Sequence, residues 1–324
     1  MKWIYKSLSL ALIGASFSLY CSRSAIAQAT LTSADVREVS NSVSLNIGGG
    51  GWNPASVGDQ MVPQDSLRTG ASSRAALMFN DGTLVRTGEG TTFRFPPGQR
   101  SFELINGTTL IMIRPGLGAS RINTPEASII ASGTALFVQH DEASNTSLVG
   151  VLTESPAGPV TVTDANGEGT IQLTAGQFVS VANGVLGLVE DFILPAFYDS
   201  VDMAIGLAPG QESFVGLQAA DIQETLNAVR AESIGPLNKQ VALIGELCQT
   251  GGSTLRQTTS AVPLLSELLP PAALAMEAIL PAAMSTTEAA LARLPENDIV
   301  VTPWRSPSGT VWIGKYCTEQ FALP

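Results

Sequence analysis

Basic residues are scarce in this sequence. Lys and Arg total 17 against 28 Asp and Glu, and there is one histidine, His140. An acidic chain repels nucleic-acid phosphates and anionic headgroups rather than steering toward them, so no nucleic-acid partner is expected. One histidine leaves a histidine-paired nucleophile a single choice of base. His140 follows a strand-like run and stands beside Asp141 and Glu142, so an exposed turn is expected there. Cys248, Cys317 and the one histidine have no ligand-like spacing, and no metal or cofactor site is expected.

Long uninterrupted apolar runs are also missing. Leu8–Tyr20 is uncharged but only 13 residues long, shorter than the roughly 20 a spanning helix needs. Lys2 and Lys6 precede it, and Ala27-Gln28-Ala29 follows with the small side chains a signal peptidase accepts. Residues 1–29 therefore read as a secretory signal peptide. Cleavage is expected between Ala29 and Thr30, with cleavage before Gln28 the next choice and an uncleaved anchor the competing reading. The protein is expected in the periplasm or outside the cell. Tyr20 before Cys21 is too bulky for lipoprotein processing. Cleavage would remove Lys2, Lys6 and Arg23, leaving 14 basic and 28 acidic residues, a net charge of −14.

Cys248 and Cys317 survive that cleavage. In an oxidising compartment they form a disulfide candidate with one possible intramolecular pairing; two separate buried thiols are the alternative.

From about Val36 to Val185 the sequence is a succession of short strand-like runs. Arg74–Phe79 and Thr83–Thr87 flank Asn80-Asp81-Gly82, a hairpin signal because Asp-Gly tolerates positive φ. Phe102–Ile105 and Thr109–Ile113 are read as two strands parted by Asn106-Gly107. Strands at such spacing point to a sandwich, barrel or coiled β-solenoid rather than βαβ units.

After Leu186 helices are expected at Ala219–Ile234, where Ile222, Leu226 and Val229 share one stripe, and at Asn238–Cys248. Val262–Met284 is apolar but is broken by Pro263, Pro270, Pro271 and Pro281 and carries Glu267 and Glu277. Short packed helices are the reading there, with no membrane span in the mature chain. Asp298–Val301 and Thr310–Gly314 are expected as a terminal strand pair. The resulting organisation is a signal peptide (1–29), a linker and first strand (30–53), a β domain (54–185) and an α-rich C-terminal region (186–324).

Several short motifs stand in a fixed order: Val57-Gly58-Asp59, Leu67-Arg68-Thr69-Gly70, Ser73-Arg74-Ala75 and Asp81-Gly82-Thr83. Thr124-Pro125 with Ala127, Gly133-Thr134 with Phe137-Val138, and Leu173-Thr174-Ala175-Gly176-Gln177 complete the series. In these pieces residues 54–185 resemble the FecR domain, the periplasmic module of iron-responsive signalling proteins. The resemblance implies a compact, solenoid-like β domain. The family's familiar architecture also places a sigma-factor-binding cytoplasmic domain and a spanning helix ahead of it. Here the expected signal peptide occupies that position, so only the domain type is carried over.

Other motifs are weaker. Asp164-Ala165-Asn166-Gly167-Glu168-Gly169 begins like a calcium loop, but Ala175 stands where the bidentate Glu belongs, and a hairpin tip explains it. Gly48–Gly51 lacks a following Gly-Lys-Ser/Thr and reads as a loop. Trp52, Trp304 and Trp312 are candidates for a glycan or peptide groove, with packing roles the commoner use of such rings. No catalytic set emerges. The expectation is a non-enzymatic binding or scaffold module whose partner is another envelope protein or a cell-surface component. A part in iron or envelope signalling through a separate membrane protein is the alternative, and an envelope enzyme using carboxylates is third.

Overall fold

The computed structural model describes residues 30–98, 100–250, 304–305 and 311–312. Two β-sheets face each other, and the chain feeds strands to them in turn. The first sheet contains β1 (Ala34–Ser40), β4 (Gln60–Met61), β6 (Arg74–Phe79) and β7 (Leu84–Thr87). It continues through β12 (Ala135–Asp141), β13 (Thr146–Val151), β16 (Gln177–Ala182) and β17 (Val185–Asp191). The second contains β2 (Val43–Asn46), β3 (Trp52–Pro54), β5 (Ser66–Thr69) and β8 (Thr92–Arg94). Then come β10 (Ser120–Asn123), β11 (Ala127–Ala131), β14 (Val160–Asp164) and β15 (Thr170–Leu173).

One strand belongs to both. β9 (Ser101–Met112) pairs through its first half with β8 and β10, and through its second half with β7 and β12. The change of sheet needs a bend, and two local features make it. The register with β8 skips Ile105, because Thr92 faces Asn106 while Phe93 faces Leu104. Gly107 then adopts φ +89°, where a Cβ would lie 2.4 Å from the Thr91 Cα. A bulge beside a positive-φ glycine is how a strand turns a corner between layers. Asn106-Gly107 is therefore a bend within one strand and not the turn between two strands that the sequence suggests.

The space between the sheets is the main core. Phe79, Phe93, Phe95 and Phe102 are fully buried there. Phe79 meets Phe95 and Phe102 edge to face, with centroids 5.1 and 5.0 Å apart. Such contacts add roughly 0.5–1.5 kcal/mol each beyond burial of the rings.

The outer face of the first sheet is covered by helices. They are α1 (Leu194–Ser200), a 3₁₀ turn at Asp202–Ala204, α2 (Glu212–Gly216), α3 (Ala220–Ala231) and α4 (Ile234–Thr250). Ile222, Leu226 and Val229 of α3 are buried, as their helical spacing predicts. They join Met78, Leu84, Leu110, Met112 and Phe137 of the sheet in a second core. The helices that follow the β region thus share a core with it. β1 and β2, which precede residue 54, pair with β6 and β5 and belong to the same sandwich.

The expected helices near Ala219–Ile234 and Asn238–Cys248 correspond to α3 and α4. Val262–Met284 lies outside the described residues, as does most of the expected terminal strand pair. β18 (Trp304–Arg305) and β19 (Val311–Trp312) are described and pair antiparallel with each other. No helix of the described residues is long and apolar enough to cross a membrane.

Candidate interaction face

The two sheets present opposite kinds of outer face. In β6 every residue after Arg74 is buried and in β7 all four are, because helices cover one side and the sandwich core the other. In β2, β5, β8, β10 and β14 burial alternates, and no described element packs on their outer side. The sequence carries this difference. Ala-Ala-Leu-Met-Phe and Ala-Leu-Phe-Val are unbroken apolar runs, whereas Val-Ser-Leu-Asn, Ser-Leu-Arg-Thr and Val-Thr-Val-Thr alternate. That signal was available from the strand runs alone.

On the open face a cross-strand row runs from edge to edge. Trp52 faces Asn46, Asn46 faces Ser66, Ser66 faces Arg94, and Arg94 faces Glu103. Glu103 faces Asn123, which faces Ser128, then Thr163 and Thr170. At about 4.8 Å per strand the row is about 38 Å long. Hydrogen bonds tie neighbours along it: Arg94 to Glu103 at 3.3 Å, Ser128 to Asn123 at 3.1 Å, and Thr163 with Thr170 at 3.1 Å. A second row places Ser101, Arg121, Ile130, Thr161 and Gln172 beside the first.

Arginine is distributed unevenly. Arg37, Arg74, Arg100, Arg114 and Arg230, away from this face, each pair with a carboxylate. On the open face Arg68 lies over the Trp52 ring, 4.5 Å from its centroid, and Arg121 donates to Ser128 Oγ at 2.9 Å. Neither Arg68 nor Arg121 is in an ion pair with a described residue. Arg68, Arg94 and Arg121 against Glu103 and the inward-facing Asp164 leave the strands of this face at +1, in a chain of net charge −11.

Residues singled out from sequence fall elsewhere. His140 is 2% exposed, so the expected exposed turn is corrected. The strand run continues through it, since β12 pairs with β13 as far as Asp141 opposite Thr146. Its Nδ1 lies 3.0 Å from Ser147 Oγ, and the Ser147 hydroxyl donates to Thr124 Oγ1 at 2.7 Å. With its hydrogen committed to Thr124, Ser147 accepts from the ring, which places the imidazole proton on Nδ1. Burial holds the imidazole below its ordinary pKa, against the opposing pull of Glu126, Asp141 and Glu142. Ser147 is fully buried, so this pair has no substrate access.

Asp164 serves the hairpin between β14 and β15. Its carboxylate accepts from the backbone N–H of Glu168 at 3.0 Å and of Gly169 at 2.6 Å. Those bonds close the hairpin tip. Among the described residues no group of three or more His, Cys, Asp or Glu side chains is placed to hold a metal. Gly48, in the loop after β2, gives its N–H to the buried carboxylate of Asp65 at 2.8 Å. Cys317 and the Ala29 side of the expected cleavage site lie outside the described residues, as does the side chain of Cys248.

A cleft of about 260 Å³ opens between β1, the β6–β7 hairpin and α3, lined by Asp35, Arg37, Arg114, Asp221 and Glu224 among others. Arg37 pairs with Asp221 at 2.5 Å, and Arg114 with Glu224. Thr225 of α3 donates to Gly82 O at 2.7 Å. These contacts make the cleft a joint between helix and hairpin. Behind it Asp81 and Arg100 form an ion pair with side chains 0% and 1% exposed, braced by Thr83 N–H to Asp81 at 2.8 Å.

Residues 65–155 match the family described as FecR protein. The chain contains a FecR domain. The match runs from β5 to the end of β13 and beyond by four residues, within the 54–185 span of the resemblance. A solved structure described as "a putative anti-sigma factor from Parabacteroides distasonis ATCC 8503", at 1.65 Å resolution, is 19% identical, with a TM-score of 0.35. The alignment covers 42% of this chain and 65% of that one, so less than two thirds of the neighbour is spanned. A second structure with the same description, at 2.50 Å, gives 19% identity, 42% and 64% coverage and a TM-score of 0.35. A "Cell surface anchoring domain" aligns with 21% of this chain and 87% of its own, at 20% identity and a TM-score of 0.19. No curated protein matches the chain significantly.

Proposed function

We propose that this is an exported, non-enzymatic FecR-domain protein that works as a binding or scaffold module in the cell envelope, docking through the open face of its second sheet. One observation carries the reading: helices seal the outer face of one sheet, while the other keeps a continuous hydrophilic row and two arginines outside any described ion pair. The Ala27-Gln28-Ala29 motif supports export, and the family supports a setting in envelope signalling.

The test is capture of envelope components by the tagged mature chain, compared with Arg68→Glu/Arg121→Glu on the open face and Arg74→Glu on the other sheet. Loss of a captured component in the first variant only is the expected result. Equal capture by all three would overturn the assignment of the face.

The FecR domain also favours a second reading, a component of iron or envelope signalling that acts through a separate membrane protein. Transcription that is unchanged under iron limitation in a deletion strain would count against it.

A further inference from the structure

The open face has a shape and chemistry that narrow its ligand. It is long and hydrophilic, and its outward strand positions are mostly Ser, Thr, Asn and Gln. Side chains suited to entering a lipid layer are few: Ile130 is 38% exposed and Trp52 36%. The apolar centre of an ordinary protein–protein interface is absent too. What remains is a track of hydroxyl and amide groups with positive charge on either side of its midpoint. At one end, an arginine lies over an indole.

We infer, building on the docking face proposed above, that this track binds an extended anionic glycan, a polymer whose sugar hydroxyls meet the Ser, Thr and Asn side chains and whose carboxylates meet Arg68 and Arg121. Guanidinium groups match carboxylates in a planar, two-point geometry. The contact with the Trp52 ring restrains Arg68, so less side-chain freedom is lost on binding. The row is about 38 Å long, a length suited to several successive sugars rather than one. The acidic remainder of the molecule repels the polymer and confines it to this face.

The probe is polygalacturonate, a linear polyuronate, titrated into the full mature chain. Dextran, poly-glutamate and anionic phospholipid vesicles are the comparisons. Polygalacturonate is expected to bind and dextran not, with affinity falling as salt rises. Arg68→Gln/Arg121→Gln is expected to weaken binding roughly tenfold, the loss of two exposed charge contacts. Arg74→Gln, which removes charge from the other sheet, is expected to leave it within about twofold. Absence of binding, equal binding of poly-glutamate or vesicles, or equal loss in the Arg74 variant would overturn the inference. If the open-face variants lose an envelope partner while polygalacturonate fails to bind, the docking face stands and the glycan falls. If neither responds to them, both fall.

Discussion

The ring of Phe137 covers Gly150 on the neighbouring strand, so closely that a methyl group at Gly150 would sit 2.1 Å from the Phe137 Cε1. The same ring stacks on Phe197 of α1, with centroids 5.1 Å apart and planes at 20°. Gly150 thus makes room for the side chain on which the first helix rests.

Gly150→Ala should displace Phe137 and loosen α1. The expected loss is about 1–3 kcal/mol, as for other overpacked cores, read from the denaturant midpoint. Alanine at Gly235, where a Cβ has open space and φ is likewise not positive, is a control for the substitution without crowding. An unchanged midpoint in Gly150→Ala would mean that the ring has freedom to move.

Asp81→Ala would strand the buried Arg100 guanidinium. Removing one partner of a buried pair typically costs about 3–5 kcal/mol. A double change to Asp81→Val with Arg100→Met should be milder than Asp81→Ala alone, because no buried charge is left unmatched. If the single variant unfolds in the same denaturant concentration as the parent, Arg100 is reached by water.

Acid should weaken the fold through His140. Its folded pKa is lowered, so in the window below the unfolded value of 6.5 the unfolded chain binds more protons. Stability is then full above that value and is lost as pH falls toward the folded pKa. Asp199, raised by burial from 3.8, acts in the opposite sense and in a more acidic range. Unfolding measured from pH 8 to pH 5 should show the decline, and His140→Gln should flatten it. A slope that persists in that variant would assign it to other groups.

Export predicts a defined start to the secreted chain. The intact mass from the periplasm or medium should correspond to Thr30 as the first residue. Cys248 and Cys317 should resist thiol labelling until a reductant is added. A retained Met1 would overturn cleavage in favour of the uncleaved anchor, and two freely labelled thiols would remove the disulfide.

Local signals are legible in the sequence. The Asp81-Gly82 hairpin joins β6 to β7 and pairs as far back as Ala75 with Thr87, because its turn chemistry and strand pattern are written within 13 residues. The α3 stripe was legible for the same reason. Asn106-Gly107 misled because the φ that closes a turn also bends a strand, and only partners far along the chain separate the two. His140 misled because its neighbours in sequence are acidic, whereas its neighbours in space are Ser147 and Thr124. The open face is not legible in the sequence for a further reason. Its row is assembled one residue per strand, so no stretch of sequence contains more than a fragment of it.

β9 has its partners arranged in time as well as in space. β7 and β8 precede it, and β10 and β12 follow. The other pairings are similarly near in chain order, the longest reach being that between β1 and β6. A chain threaded outward from its N-terminus can therefore lay each new strand against an edge already finished. The first strands need not wait for the last, and β9 hands a completed half-sandwich to the residues still arriving.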